Sequence, residues 1–259
     1  MKLSGKNALV VGASSGINLA IAKRLAEHGA RLVVASRTPE RIAAAAEALR
    51  ADGLDAIGLA GDVRDAAAME DVAAEAARHL GSLDIVVSGA AGNFFASAEE
   101  MSANGFRTVV EIDLIGTFNV FKAAFAHLRV PGASLVAISA PQAQRAMRNQ
   151  AHACAAKAGV DMLTKCLALE WGVHGIRVNG VSPGPIADTE GLARLTGEGD
   201  MAERVQAALA LPYFGRGSDV GEAVAFLSSD AASYITGTIL DCDGGMRLGD
   251  LPVPSGSRN

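Results

Sequence analysis

The sequence predicts an α/β fold, a doubly wound parallel sheet with helices on both faces, and three observations support it. Apolar runs of strand length recur along the chain, and segments with helical periodicity lie between them. This alternation is typical of parallel sheets, because each right-handed crossover lays a helix back over the strands. The composition agrees: 50% of the 259 residues are hydrophobic and 20% are charged, which suffices for a large core.

The elements are predicted in a regular order. Strands are expected at Ala8–Val11, Arg31–Ala35, Ala56–Leu59, Ile85–Val87, Ser134–Ile138, Arg177–Val181 and Ile239–Asp241. Helices are expected at Leu19–His28, Pro39–Ala51 and Ala66–Leu80, where Ala and Leu are frequent and the apolar spacing is helical. We expect a single domain over residues 1–259, because α/β folds of about 250 residues often remain undivided.

Composition also excludes several classes of partner. The net charge of −5, without a block of Lys or Arg, argues against nucleic acid or a membrane surface. The longest uncharged stretch, Val130–Gln144, is too short for a membrane span and contains two prolines. The three cysteines lack CxxC spacing, so we expect reduced core residues and no metal site. The first strand follows the N-terminus too closely for a signal peptide, which favours a cytoplasmic protein.

One long segment interrupts the alternating pattern. Residues Pro183–Gly217 are rich in glycine and polar residues and are longer than a simple crossover requires. Ligands of open α/β sheets bind beyond the carboxyl ends of the strands, so this segment is expected to be a mobile substrate lid with a short helix. The alternative is that this segment is a long surface loop without a functional role.

A glycine turn joins the first strand to the first helix. It reads Gly12-Ala13-Ser14-Ser15-Gly16-Ile17-Asn18, in the strand, turn and helix context of a phosphate site. Glycines allow the backbone to approach a pyrophosphate, and the helix N-terminus offers unpaired N–H groups with a favourable dipole. A tight turn is the alternative. The context instead predicts a Rossmann-like dinucleotide site that uses Gly12, Ser14, Ser15, Gly16 and Ile17.

The end of the second strand indicates which dinucleotide binds. An NAD enzyme usually has an acid there, which accepts the ribose hydroxyls. This chain has Ser36 followed by Arg37. A guanidinium matches a 2′-phosphate in charge and geometry, so the pair predicts NADP, with a solvated surface arginine as the alternative.

From this turn onward, nearly the whole sequence resembles the short-chain dehydrogenase/reductase family, whose turn is usually TGxxxGIG. Asn18 stands where the third glycine is usual. The resemblance implies a homotetramer and further cofactor-binding residues, namely Asp62, Val63, Ala90, Lys157, Pro183, Gly184, Ile186 and Thr189.

The catalytic residues of the family are only partly present. The lysine is Lys157, but Ala153 stands at the tyrosine position, Ala140 at the serine position and Asp113 at the asparagine position. Reduction of a simple ketone requires a proton on oxygen, which is the task of the tyrosine, so that chemistry is disfavoured. Conjugate reduction of an unsaturated thioester forms a delocalised enolate instead, which hydrogen-bond donors can hold until a carbon is protonated.

Clusters around Asn93, Asp113 and Lys157 resemble 2,4-dienoyl-CoA reductases, most closely the peroxisomal type. The resemblance implies that Lys157 holds the nicotinamide ribose, that Asp113 protonates the dienolate and that Asn93 binds the thioester oxygen. Further residues implied for the substrate are Phe94 in the acyl channel, and Arg64 and Arg194 at the CoA phosphates. The final residues, Ser257-Arg258-Asn259, differ from the peroxisomal Ser-Lys-Leu signal and favour a cytosolic relative.

The expected function is therefore NADPH-dependent reduction of an enoyl or 2,4-dienoyl acyl-CoA thioester. Two alternatives remain open. The first is another NADP-dependent carbonyl or imine reductase, in which His152 or Asp113 replaces the tyrosine. The second is a catalytically silent NADP-binding protein. His152 itself is either a substitute acid or a packed histidine.

Overall fold

The computed structural model describes residues 2–196 and 200–248, and its strands form one parallel sheet in the order β3-β2-β1-β4-β5-β6-β7. The strands are β1 (Asn7–Val11), β2 (Arg31–Ser36), β3 (Ala56–Ala60), β4 (Ile85–Ser88), β5 (Ser134–Ile138), β6 (Arg177–Pro183) and β7 (Ile239–Cys242). The predicted α/β fold and all its predicted strands are confirmed, with bounds that differ by at most two residues.

The helices are α1 (Gly16–Glu27), α2 (Pro39–Ala51), α3 (Ala66–Leu80), α4 (Ala103–Val110), α5 (Gly116–Phe125), α6 (Ala151–Trp171), α7 (Glu190–Thr196), α8 (Met201–Ala207) and α9 (Gly217–Ser228). A π-helical turn, Glu111–Ile115, joins α4 to α5 without a break. The first helix begins at Gly16 rather than Leu19, because the last glycine of the turn is already its first residue.

Two hydrophobic cores sandwich the sheet. Ala8 and Val10 pack with α1, α2 and α9, whereas Leu9 and Val11 pack with α3, α5 and α6. Successive strand residues point to opposite faces, so the uninterrupted apolar run of β1 serves both cores. This two-sided burial explains why the predicted strands carry hydrophobic runs without alternation.

The segment expected to form a lid contains two helices, α7 and α8, rather than one short helix. A bridge between Ile186 and Gly215 brings its two ends together. Residues 197–199, between the two helices, lie outside the described residues.

The sequence argued against a membrane span and a metal site and predicted reduced cysteines, and the structure bears on each of these features. In the described ranges, no helix combines the length and the apolar character needed to cross a membrane. The same residues contain no cluster of three or more His, Cys, Asp or Glu side chains suited to a metal ion. All three cysteines are free, but Cys166 is exposed on α6, so the expectation that all three lie in the core was wrong for this residue.

The strand order reverses direction beside β1, whose neighbours are β2 and β4. From this point the crossovers run outward in both directions, so the helices diverge and leave a crevice beyond the strand ends. The fold therefore opens a ligand site where β1 and β4 end.

Candidate active site

A cavity of about 760 Å³ lies at the carboxyl ends of β1 to β6. It is lined by every residue expected to bind the cofactor: Gly12, Ser14, Ser15, Gly16, Ile17, Ser36, Arg37, Asp62, Val63, Ala90, Lys157, Pro183, Gly184, Ile186 and Thr189. Asn93 and Asp113 line it as well. The fold thus gathers residues that lie far apart in the sequence around one space large enough for a dinucleotide and part of a second ligand.

The glycine turn has the shape that a pyrophosphate needs. Gly12 has φ +88°, and a Cβ at this position would lie 2.6 Å from the backbone nitrogen of Ala90. Only glycine fits there, since a side chain would collide with the end of β4. Ser15, the N-cap residue of α1, makes no side-chain cap hydrogen bond, which leaves the first N–H groups of the helix available to an anion.

Asn18 stands at the position of the third glycine, and its side chain makes hydrogen bonds there. Its Nδ2 donates to the carbonyl oxygen of Gly89 at 2.7 Å and to that of Gly12 at 3.4 Å. A side chain on Gly89 would overlap Asn18, so the two residues are matched. Asn18 therefore fastens the glycine turn of β1 to the end of β4, directly beside the cavity.

The end of β2 presents two arginines to the cavity. Ser36 is buried, and its hydroxyl has no hydrogen-bond partner among the described residues. Arg37 and Arg41 are exposed and line the same part of the cavity. An unpartnered buried hydroxyl beside two cationic side chains matches an anionic group such as a phosphate.

Asp62 and Arg64 form a bidentate ion pair. Arg64 Nη2 donates to Asp62 Oδ2 at 2.5 Å, and Arg64 Nε donates to both carboxylate oxygens. The hydrogen bonds from Arg64 hold the pKa of Asp62 below its usual range. Arg64 does not line the cavity, and its guanidinium turns back to Asp62 two residues earlier. Its contact with the CoA phosphates stays a prediction.

A buried ion pair lies at the centre of the cavity. Lys157 Nζ is 3.2 Å from Asp113 Oδ2 and donates to the carbonyl oxygen of Ile138 at 2.9 Å. Asp113 Oδ1 accepts the backbone N–H of Gly92 at 2.7 Å. Asp113 is only 1% exposed and Lys157 7%. Because both charges are buried and hydrogen-bonded, loss of either leaves the other uncompensated.

The π-helical turn sets the position of Asp113. π turns contain one residue more than an α turn and recur at functional sites. The hydroxyl of Thr117 donates to the carbonyl oxygen of Asp113 at 2.7 Å, and Ser88 in turn donates to Thr117. The backbone and the side chain of Asp113 are therefore both held by hydrogen bonds.

No side-chain hydroxyl occupies the places of the two missing family residues. Ala140 and Ala153 both line the cavity, where they contribute methyl groups. Tyr213 is 56% exposed and Tyr234 is fully exposed, and neither is among the lining residues. The acidic group nearest to Lys157 is the carboxyl of Asp113.

The region around Asn93 differs in part from expectation. Asn93 lines the cavity, but the aromatic ring that lines it is that of Phe95, not Phe94. The Phe94 ring packs on His152 instead, with a centroid distance of 4.4 Å. His152 is fully buried outside the cavity lining, and burial lowers its pKa. Its buried, neutral ring agrees with the packed histidine rather than the substitute acid.

The segment after β6 begins in close contact with the segment after β7. A Cβ at Gly184 would lie 2.6 Å from Asp243 Cα, so the lid begins where two backbone segments touch. Thr189 donates to the carbonyl oxygen of Ile186 and accepts the backbone N–H of Leu192, which fixes the start of α7. The side chain of Arg194, expected at the CoA phosphates, lies outside the described residues.

Arg41 and Gln150 are two of the polar lining residues that the sequence did not predict. Arg41 lies four residues after Arg37, in the first turn of the predicted helix Pro39–Ala51, and its place beside Arg37 could have indicated it. Gln150 is the N-cap residue of α6, seven residues before Lys157, and extending the helical spacing back from Lys157 could have indicated it.

Comparison with known proteins agrees with this site. The family model described as Enoyl-(Acyl carrier protein) reductase matches residues 12–247. The chain therefore belongs to the short-chain dehydrogenase/reductase family, and it is an oxidoreductase of the kind that uses a nicotinamide cofactor.

Named relatives point to one branch of this family. A protein of Arabidopsis thaliana named peroxisomal 2,4-dienoyl-CoA reductase [(3E)-enoyl-CoA-producing] is 41% identical over 254 residues, covering 94% of this chain and 85% of that protein. A protein of the same name from Danio rerio is 41% identical, covering 95% and 83%. The chain is similar to these reductases over almost its whole length.

Solved structures share the fold. A short-chain dehydrogenase/reductase from Serratia marcescens superimposes with a TM-score of 0.87 at 31% identity, over 95% of this chain and 100% of that chain. A dehydrogenase/reductase from Sinorhizobium meliloti gives a TM-score of 0.88 at 34% identity, over 95% and 96%.

Proposed function

We propose that this protein reduces a 2,4-dienoyl-CoA thioester to a 3-enoyl-CoA with NADPH. The observation that carries the proposal is the buried Asp113–Lys157 pair, which faces a cavity where Ala140 and Ala153 offer no hydroxyl. A site without a hydroxyl acid is poorly suited to protonate a ketone oxygen, whereas it suits a reaction that ends with protonation of carbon. The names of the relatives support the same reaction.

NADP is the expected form of the cofactor. The unpartnered Ser36 hydroxyl, Arg37 and Arg41 would hold the 2′-phosphate, and the glycine turn with the start of α1 would hold the pyrophosphate. An acid at the end of β2 would repel the phosphate, and this chain has none there. When bound, the cofactor supplies a hydride.

Residues of the chain stabilise the negative charge of the dienolate and supply the proton. Lys157 binds the nicotinamide ribose, and its ammonium group keeps the buried Asp113 beside the reacting carbons. Asn93 donates a hydrogen bond to the thioester oxygen, where negative charge accumulates. The Lys157 ammonium group lies 3.2 Å from the Asp113 carboxylate, so a proton passes from Lys157 to Asp113 and from Asp113 to the α carbon of the dienolate. A proton from solvent then restores Lys157. One hydride and one proton thus add to the ends of the conjugated system.

A substrate comparison tests this proposal. Oxidation of NADPH is followed with trans-2,trans-4-dienoyl-CoA, a 2-enoyl-CoA and a panel of simple ketones. In deuterated water, we expect solvent deuterium at the α carbon of the product and hydride from NADPH at the δ carbon. Activity on ketones with none on dienoyl-CoA would favour another carbonyl reductase, and tight NADPH binding without any turnover would favour a silent binding protein.

The remaining expectations concern assembly and location. Large apolar side chains are exposed on α5 and α6, namely Phe118, Met162 and Leu169, and they support a homo-oligomer of the tetrameric kind expected from the family. Light scattering of the purified protein tests it. The chain is proposed to act as one domain in the cytoplasm, although the relatives above are named as peroxisomal.

A further inference from the structure

The start of α6 and the residue before it supply three residues to the cavity wall. Gln150, Ala153 and Lys157 all line the cavity, at positions i, i+3 and i+7. Residues with this spacing lie on one side of a helix. The methyl group of Ala153, at the position where the family usually has a tyrosine, therefore lies between the side chains of Gln150 and Lys157, both of which carry N–H groups.

Gln150 is held in place although it caps nothing. It is the residue before α6, it is only 3% exposed, and its side chain makes no cap hydrogen bond to the helix. Its Oε1 accepts a hydrogen bond from Gln142 Nε2 at 2.9 Å. The oxygen of the amide is thus engaged, which leaves its NH₂ group to face the cavity that Gln150 lines. Buried N–H donors beside a cavity are stabilised when a ligand supplies the acceptor.

Two contacts fasten the segment of Gln150 to the loop of Asn93. The backbone N–H of Ala96 donates to the carbonyl oxygen of Asn149 at 3.0 Å, and the Phe94 ring packs on the ring of His152. Asn149 has φ +62°, a left-handed conformation that is retained only where the surroundings fix it. The loop of Asn93 and the segment of Gln150 are therefore in contact within three residues of each amide, and both residues line the cavity.

We propose that Gln150 is a second hydrogen-bond donor to the substrate's thioester oxygen and that Gln150 and Asn93 together form an oxyanion hole. The inference rests on the proposed function and names the residue that replaces the missing hydroxyls. Amide N–H groups stabilise a negative oxygen but do not transfer a proton to it. The charge therefore stays in the dienolate until carbon is protonated. Gln142 acts through Gln150 as a positioning residue.

Replacement of Gln150 by Met tests this role, because Met keeps the length of the side chain and removes the donors. We expect kcat on dienoyl-CoA to fall by about 100-fold, the typical effect of losing one oxyanion donor. The Kd for NADPH should stay the same. Gln144→Met is the matched control, since Gln144 is an exposed glutamine of the same segment outside the cavity lining, and it should keep wild-type activity. Gln142→Met should cause a smaller loss than Gln150→Met.

A binding measurement separates this role from a structural one. Affinity is compared for a 2-enoyl-CoA and for its thioether analogue, which lacks the carbonyl oxygen, both in the presence of NADP⁺. The wild-type protein should prefer the thioester, and Gln150→Met should lose most of that preference by weakening the thioester complex alone. Gln150→Glu keeps the acceptor for Gln142 and the side-chain shape, so it should fold and show the same loss.

Each outcome decides between the proposals. Wild-type kcat together with an unchanged thioester preference in both Gln150 variants would overturn the second donor. Loss of affinity for thioester and thioether alike would overturn it too, since that result means a packing role. Wild-type protein that turns over ketones but no dienoyl-CoA would remove the proposed function itself, whatever the Gln150 variants do.

Discussion

The two ends of the cavity are built in different ways. The cofactor end includes two short continuous stretches that are recognisable in the sequence, the glycine turn before α1 and the end of β2, together with residues at the ends of β3, β4 and β6. The substrate end joins the loop after β4, the segment after β5 and the start of α6, which meet through contacts such as that between Ala96 and Asn149. A part of the site that is made from one continuous stretch has a recognisable pattern in the sequence. A site made from three depends on the tertiary structure that brings them together.

The strongest test of this division is Lys157, which serves both ends. Lys157→Ala should abolish turnover and weaken cofactor binding, because it removes the ribose contact and leaves Asp113 as an uncompensated buried charge. Steady-state kinetics and NADPH titration measure the two effects, with circular dichroism to verify the fold. Tyr213→Phe and Tyr234→Phe should retain activity, since both rings are exposed. A severe loss of the chemical step in either tyrosine variant would contradict the proposed mechanism.

Asp113 should affect the chemistry with little effect on the cofactor end. Asp113→Asn keeps an acceptor for the Gly92 N–H but loses the dissociable proton, so turnover should fall by roughly 100-fold or more. Affinity for NADPH should barely change. Single-turnover kinetics and titration separate the two quantities, and Glu111→Gln on the same π turn is the matched control. An Asp113→Asn enzyme at full speed would rule out Asp113 as the proton source.

Arg37 should affect the cofactor end alone. Wild-type protein is expected to prefer NADPH, and Arg37→Asp should reverse the preference, since the new carboxylate repels the 2′-phosphate and accepts ribose hydroxyls. Arg41→Ala should weaken NADPH binding by about 10-fold, the cost of one charge-assisted hydrogen bond, and leave NADH unaffected. Arg50→Ala, at the far end of α2, is the control. Equal use of both cofactors by wild-type and Arg37→Asp proteins would refute the assignment.

The smallest expected effect is on stability, at His152. Burial lowers the pKa of this histidine below its usual 6.5, so the folded protein keeps the ring neutral. As the pH falls through 6.5, the unfolded chain takes up a proton that the folded state refuses, and the free energy of unfolding decreases. His152→Gln should therefore lose less stability than wild type between pH 7.5 and pH 5.5 in urea titrations. Parallel curves would mean that burial does not disfavour the protonated ring.

The sequence was informative wherever a local pattern had a direct physical cause. The strands were predicted because two-sided burial requires continuous apolar runs, and Gly12 because only glycine allows the approach to Ala90. At the substrate end, by contrast, Phe94 and Phe95 are neighbours in a loop without a period, so no sequence rule decides which ring faces the cavity. Gln150 gave no signal on its own, because its importance depends on Gln142 and on the loop of Asn93.

The π-helical turn has a consequence for the length of the chain. The hydrogen bonds of a π turn span one residue more than those of an α turn. The turn between α4 and α5 therefore contains one residue more than a continuous α-helix would have there. Deletion of one residue within 111–115 would give a regular helix and leave the core residues Val120 and Phe121 of α5 in place. Such a shortened enzyme should fold normally while Asp113 no longer reaches Lys157. The one additional residue of the π turn is therefore expected to decide the position of Asp113 rather than the course of the two helices.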